Sequence, residues 1–248
     1  MPSDLIPLAE QTGLIVPIGK WALVEARRRA RCWRELQPER PLVVAINVSA
    51  RQLRDLDFGS LLWRVLAEEN LPPSLLTLEV TEDALGEDIE ATTAFLRTLK
   101  GVEVQVELDD FGIGYSSLGR IRQLPLDVIN IDRSFVAELG AHVHDRAIVR
   151  AIAGLARDLG LILTAGGIET TEQARVQREV GCTRGQGFCF SPALPASGAE
   201  RLWQWDAGPR LRAVANRPLD RHPLLSVHRC ASSSGTRSFD TDVASSLR

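Results

Sequence analysis

Lysine is almost missing from this chain of 248 residues: only Lys20 and Lys100 occur, and arginine supplies nearly all of the positive charge. A reaction that needs a lysine ammonium therefore has two candidates. Cysteine is also sparse. Cys32, Cys182, Cys189 and Cys230 show no Cys-x-x-Cys spacing. With no export signal, they read as reduced packing thiols rather than a disulfide framework or a zinc site. Histidine numbers four, and the pair His142 and His144 reads as solvated rather than metal-binding. Excess positive charge is absent too. A net charge of -3 argues against binding a nucleic acid polymer, which needs a basic surface. No apolar run approaches the ~20 residues of a membrane span. The opening Met1-Pro2-Ser3-Asp4 lacks the basic and apolar regions of a signal peptide. The expected location is the cytoplasm.

What the chain does have is a repeating order of elements. Strands are expected over 42–48, 75–81, 102–109, 126–131, 161–165 and 185–190. Helices are expected over 17–36, 57–70, 88–100, 144–159, 170–180 and 196–205, with a short one near 115–123. The run at 42–48 is nearly continuous in apolar residues, the mark of a strand buried on both faces. Strand then helix, repeated, is the signature of an α/β protein with a largely parallel sheet. Residues 1–206 read as one folded unit. Residues 207–248 mix Arg, Pro and Ser with little apolar content and read as a disordered tail.

Oxygen-bearing side chains recur at the carboxyl ends of these strands. Asn47 and Glu79 stand near two such ends, and Glu82 follows Glu79. Asp109 and Asp110 end the third strand, Asp132 follows the fourth and Glu169 the fifth. In a closed α/β barrel those ends converge on one mouth, where active sites are built. Two adjacent aspartates repel each other unless cations or donors neutralise them. An oxygen-only ring suits Mg²⁺ or Mn²⁺ rather than zinc. Two such ions can clamp a phosphodiester and activate water. After Asp110 the chain breaks into Phe111-Gly112-Ile113-Gly114-Tyr115-Ser116-Ser117, a glycine-spaced loop able to approach a ligand closely.

The segments Ile6–Ile15, Asn47–Gln52, Leu78–Glu82, Leu108–Leu118, Ile131–Val136, Gly167–Thr170 and Gly185–Phe188 resemble, in order and spacing, the EAL family of bacterial cyclic di-GMP phosphodiesterases. The resemblance implies a TIM-like (β/α) barrel of the EAL type. It also implies magnesium- or manganese-dependent hydrolysis of cyclic di-GMP to linear pGpG. By the same resemblance, Asn47, Glu79, Asp109 and Asp110 match metal ligands. Asp132 matches a metal ligand or water-orienting carboxylate, Gln186 a residue near the substrate or its water, and Glu169 a supporting acid of the catalytic site. Glu82 matches the residue holding the loop of Phe111, Gly112, Gly114, Ser116 and Ser117.

The departures from that pattern are specific. The Glu-Ala-Leu strand would lie upstream of Met1, so the resemblance implies a barrel incomplete at its N-terminus, with two strands absent. Asn130 stands where a lysine is expected, and asparagine cannot supply a positive charge. Gly166 stands where a glutamate is expected. Ile113 replaces a threonine, and Pro192-Ala193 replaces a basic-Pro pair. Neither Lys20 nor Lys100 is placed to substitute. The resulting expectation is a degenerate, catalytically inactive EAL domain of cyclic di-GMP signalling. It would act by binding the nucleotide, a protein partner or a second copy of itself. A working phosphodiesterase and a poorly folded fragment are the alternatives. A longer true protein, a decaying gene and a partner covering the missing strands each account for the abrupt start.

Overall fold

The computed structural model describes residues 2–68, 72–85, 89–113, 121–137 and 143–206. The described chain opens with helices α1 (Pro2–Thr12) and α2 (Ile15–Leu36). It continues through β1 (Val44–Asn47), α3 (Ala50–Leu53), α4 (Leu56–Glu68) and β2 (Leu76–Thr81). Next come α5 (Ile89–Lys100), β3 (Gln105–Phe111), β4 (Val128–Ile131), α6 (Arg133–Ala137), α7 (Val143–Asp158) and β5 (Ile162–Ala165). The chain closes with α8 (Thr171–Val180), β6 (Arg184–Gly185) and α9 (Ala196–Asp206). The strands form one six-stranded sheet in sequence order, β1 to β6, with every neighbouring pair parallel. This is a curled, incomplete TIM-like barrel with helices between its strands. Among the described residues, β1 and β6 are open edges of the sheet.

The expectation of a strand buried on both faces, made for 42–48, fails for β1, where Ile46 is buried while Ala45 and Asn47 are exposed. Leu76, Leu78 and Val80 on β2, Val106 and Leu108 on β3, Ile129 and Ile131 on β4, and Leu163 and Ala165 on β5 all join one buried cluster. Helix residues such as Phe58, Leu62, Leu96, Leu99, Val149 and Ala153 complete that cluster. The residues between them on the strands point the other way, because successive strand side chains alternate faces. That second face carries Thr77, Glu79, Glu107, Asp109, Asn130 and Thr164. The sheet is therefore oil-backed on its helix side and polar on its inner side.

Two helix starts are fixed by reciprocal hydrogen bonds. Ser49 and Gln52 form a capping box at α3, and Thr170 and Gln173 form one at α8. Gly181 ends α8 in the left-handed conformation, φ 106.

Several boundaries differ from expectation. β3 starts three residues late because the Val104 N–H donates to the Leu99 carbonyl, wrapping 101–104 around the end of α5. It then runs past both aspartates to Phe111. β6 keeps only Arg184–Gly185. Beyond it, Cys189 N–H donates to the Ile168 carbonyl and Phe190 N–H to the Gly187 carbonyl, which turns the chain out of the sheet. Short helices α3 and α6 were not anticipated. Most of the helix expected near 115–123, His142, and the whole tail 207–248 with Cys230 lie outside the described residues. No described helix is long and apolar enough to cross a membrane.

Two substitutions separate packing from capping. Leu78→Ala, at a fully buried position, is expected to cost about 2–5 kcal/mol. Thr170→Ala is expected to cost about 1 kcal/mol. Urea unfolding of both variants checks the order.

Candidate functional site

Strand register sets the inner face. Asn47 pairs with Glu79, and Glu79 pairs with Glu107, so three polar side chains form one lateral row across β1, β2 and β3. Asp109 follows on the same face of β3. Asn130 pairs with Thr164 and Thr164 with Arg184, making a second row across β4, β5 and β6. Two side-chain hydrogen bonds tie the strands together here. Asn47 Nδ2 donates to Glu79 Oε2 at 2.8 Å, and Asn130 Nδ2 donates to Asp109 Oδ1 at 2.8 Å.

The acids of this face raise one another's proton affinity. Burial and the Asp109 charge push Glu79 up to about 7, against the hydrogen bond from Asn47. Burial, Glu79 and Asp109 push Glu107 up to about 8, opposed by the positive charge of Arg184. Glu107 is only 3% exposed. Such crowding of carboxylates calls for a cation or for protons.

Asp109 and Asp110 sit at an irregularity in the pairing of β3 with β4, between Leu108 and Phe111. A bulge of this kind re-aims side chains. Asp110 takes a left-handed backbone, φ 53, and its N–H donates to Asp109 Oδ1 at 2.9 Å. Its carboxyl lies above the usual range because of burial and the charges of Asp109 and Asp132. Gly112 follows at φ 105, and a Cβ there would meet the Phe135 ring at 2.7 Å. Only glycine fits that turn.

The remaining candidates lie around this centre. Asp132 is buried, which pushes its carboxyl up. Hydrogen bonds from Ser134 and Arg133 and the charge of Arg133 outweigh burial and hold it below the usual range. Its Oδ1 accepts the Ser134 N–H at 2.8 Å, fixing the start of α6. Glu169 is exposed, and its N–H donates to Gln173 Oε1 within the α8 capping box. Gln186 is exposed, with its backbone held between Ala165 and Ile168. Glu82 is half-buried just after β2. Phe111 packs in the core, so its ring is a structural element. Gly114, Ser116 and Ser117 lie outside the described residues.

Positions 130 and 166 are neighbours. A Cβ built on Gly166 would lie 3.4 Å from Asn130 Oδ1 and 3.7 Å from Asn130 Nδ2. The two departures from the expected pattern thus occupy one spot at the mouth. Neither lysine reaches it. Lys20 pairs with Asp55 at 3.8 Å and Asp57 at 3.6 Å, and Lys100 pairs with Asp127.

Besides Thr77, the inner-face residues Glu107, Thr164 and Arg184 escaped sequence reasoning. Glu107 carried a signal, since it stands two positions before Asp109 and so shares its face. Thr164 and Arg184 carried none, because their facing depends on pairing across strands.

Among the described residues, no three His, Cys, Asp or Glu side chains gather closely enough to hold a metal ion. The candidate set of the Asn47 amide, Glu79, Asp109 and Asp110 is therefore not drawn together into a metal-holding cluster in this structure. All its donors are oxygen, and its carboxylates repel one another, so its chemistry fits a hard divalent cation.

The sequence model for the EAL domain matches residues 1–193. The chain is 40% identical over 195 residues to the bifunctional diguanylate cyclase/cyclic di-GMP phosphodiesterase MucR of Pseudomonas aeruginosa, covering 79% of this chain and 28% of that protein. It is 36% identical over 203 residues to the cyclic di-GMP phosphodiesterase PdeR of Escherichia coli, covering 82% and 30%. Both matches span less than a third of the relative's length. The solved MucR phosphodiesterase in complex with c-di-GMP superposes with a TM-score of 0.76 at 39% identity, covering 80% of each chain. The EAL domain of Mycobacterium smegmatis DcpA superposes with a TM-score of 0.72 at 41% identity, covering 77% of this chain and 86% of that one. Family match, identity and fold agree: the chain belongs to the EAL domain family.

Proposed function

We propose that this EAL domain, folded over residues 1–206, is a cyclic di-GMP receptor that does not hydrolyse its ligand. One observation carries the reading. Asn130 and Gly166 meet at the mouth, where the family resemblance calls for a lysine and a glutamate. A neutral amide and a bare backbone now stand where a cation and a carboxylate would act on the phosphodiester and its water. Loss of one such electrostatic contact typically costs ~10²–10³ in rate. Coupled losses at one site leave little turnover.

Binding needs less. A divalent ion would be held by Asn47, Glu79, Asp109 and Asp110, and would neutralise a phosphate beside an otherwise repulsive acid row. Asn130 would keep Asp109 in place through its amide hydrogen bond. Asp132 would keep the start of α6 fixed behind Asp110. Gly112 itself lets the backbone turn tightly against Phe135 just after Asp110. The survival of the oxygen row favours one second reading, a metal-dependent phosphodiesterase that cleaves cyclic di-GMP to pGpG.

Titration calorimetry with cyclic di-GMP is expected to show binding with Mg²⁺, weakened roughly tenfold or more by Asp109→Ala. Chromatography of the same mixtures is expected to show no pGpG. Product that accumulates with the native chain and vanishes with Asp109→Ala would replace the receptor reading by the second one.

The acid row also sets a pH dependence. Glu79 and Glu107 bind protons more tightly folded than unfolded. The contribution of these two groups to the stability of the metal-free protein is therefore greatest in acid. It should fall as pH rises from the unfolded carboxyl range, about 4.5, through about 8. Added Mg²⁺ should offset the loss at the alkaline end. Melting temperatures across that range, with and without Mg²⁺, check both signs.

A further inference from the structure

Asn130 is 7% exposed and Thr164 is 6% exposed. They are direct partners across β4 and β5. Asn130 Oδ1 and Thr164 Oγ1 have no hydrogen-bond partner among the described residues. The orientation of the Asn130 amide is fixed, because its Nδ2 faces the Asp109 carboxylate. Turning the amide over would set oxygen against oxygen. Its Oδ1 therefore points away from Asp109 and toward Gly166, where no side chain fills the space. The Ile131 carbonyl borders the same gap, 3.3 Å from where a Cβ of Gly166 would stand. Gly166 itself is half-exposed, so the gap is reachable from the mouth.

Buried acceptors of this kind are satisfied in native proteins by a donor, a water or an ion. The surroundings favour positive charge. Asp109 is bonded to Asn130, and Glu79 and Glu107 stand in the adjoining row, against the positive charges of Arg184 on the same face and of Arg133 beside Gly167 and Asp132. We propose that Asn130, Thr164 and the space over Gly166 form a binding site for a small monovalent cation, ammonium or alkali. Its ligands are the two unpartnered oxygens, the Asn130 amide and the Thr164 hydroxyl, with the second lone pair of the Ile131 carbonyl, which already accepts the Gly166 N–H at 3.1 Å, beside them. The site goes beyond the receptor reading and does not depend on it, since no nucleotide takes part.

The test is thermal unfolding of the full chain at one ionic strength, with a chelator and without nucleotide. The salts are the chlorides of ammonium, potassium, sodium and tetramethylammonium. The native chain is expected to melt higher, with saturation, in at least one small cation than in tetramethylammonium, which is too large to enter. The ammonium and potassium arms tell the two sources apart. Asn130→Lys carries its own ammonium into the site, so its melting temperature should no longer depend on the cation. Thr164→Val removes a ligand and should raise the half-saturating concentration roughly tenfold; it decides the matter if Asn130→Lys does not fold. Equal melting temperatures of the native chain in all four salts would mean that buried water suffices, and would overturn the proposal. So would a cation effect that persists unchanged in both variants.

Discussion

Everything at the mouth of this domain depends on the packing behind the sheet. Leu78, Val80, Val106, Leu108, Ile129, Ile131 and Leu163 bury one face against the helices. Burial of such side chains is worth about 1.5–3 kcal/mol each. That packing holds β2, β3, β4 and β5 at fixed register whatever their inner faces carry. Glu79, Glu107 and Asp109 can then sit side by side although they repel, because the strands that bear them are held from the other side. The cost shows in the raised proton affinities of Glu79 and Glu107.

The same rigidity explains why two substitutions far apart in sequence act as one. Asn130 lies on β4, and Gly166 follows β5. Pairing of Asn130 with Thr164 brings the two positions into contact. A glutamate at 166 would crowd the Asn130 amide, and a lysine at 130 beside a bare glycine would lose a carboxylate neighbour. The present pair is mutually compatible: the amide bonds Asp109, and the glycine leaves its oxygen room. The mouth carries its oxygen donors, and the lysine and glutamate that the family resemblance leads one to expect would both have stood at this one spot.

Much of the fold was legible because it rests on local patterns. The helices at 15–36, 89–100, 143–158 and 171–180 follow apolar periodicity, the last with a capping box as well, and the six strands follow short apolar runs. What was misread shares one cause. The run at 42–48 looked buried on both faces because it has almost no polar residue, yet Ala45 and Asn47 of β1 are exposed. Leu76-Thr77-Leu78-Glu79-Val80-Thr81 in fact alternates, and alternation of period two is what divides the sheet into an oily and a polar face. The end of β3 moved past Asp109 and Asp110 because a bulge lets the strand continue after a left-handed residue. Strand propensity does not encode that.

The sequence by itself determined the family, the order of strands and helices, and the presence of Asn47, Glu79, Asp109, Asp110 and Asp132 at strand ends. Those features are local, carried by neighbouring residues along the chain. Only the tertiary structure decided that Glu107 joins the acid row and that Arg184 feels its charge. It also decided that Asn130 Oδ1 and Thr164 Oγ1 are left together beside Gly166. These are relations between residues tens of positions apart, fixed by the register of parallel strands, and register is set by packing across the whole sheet.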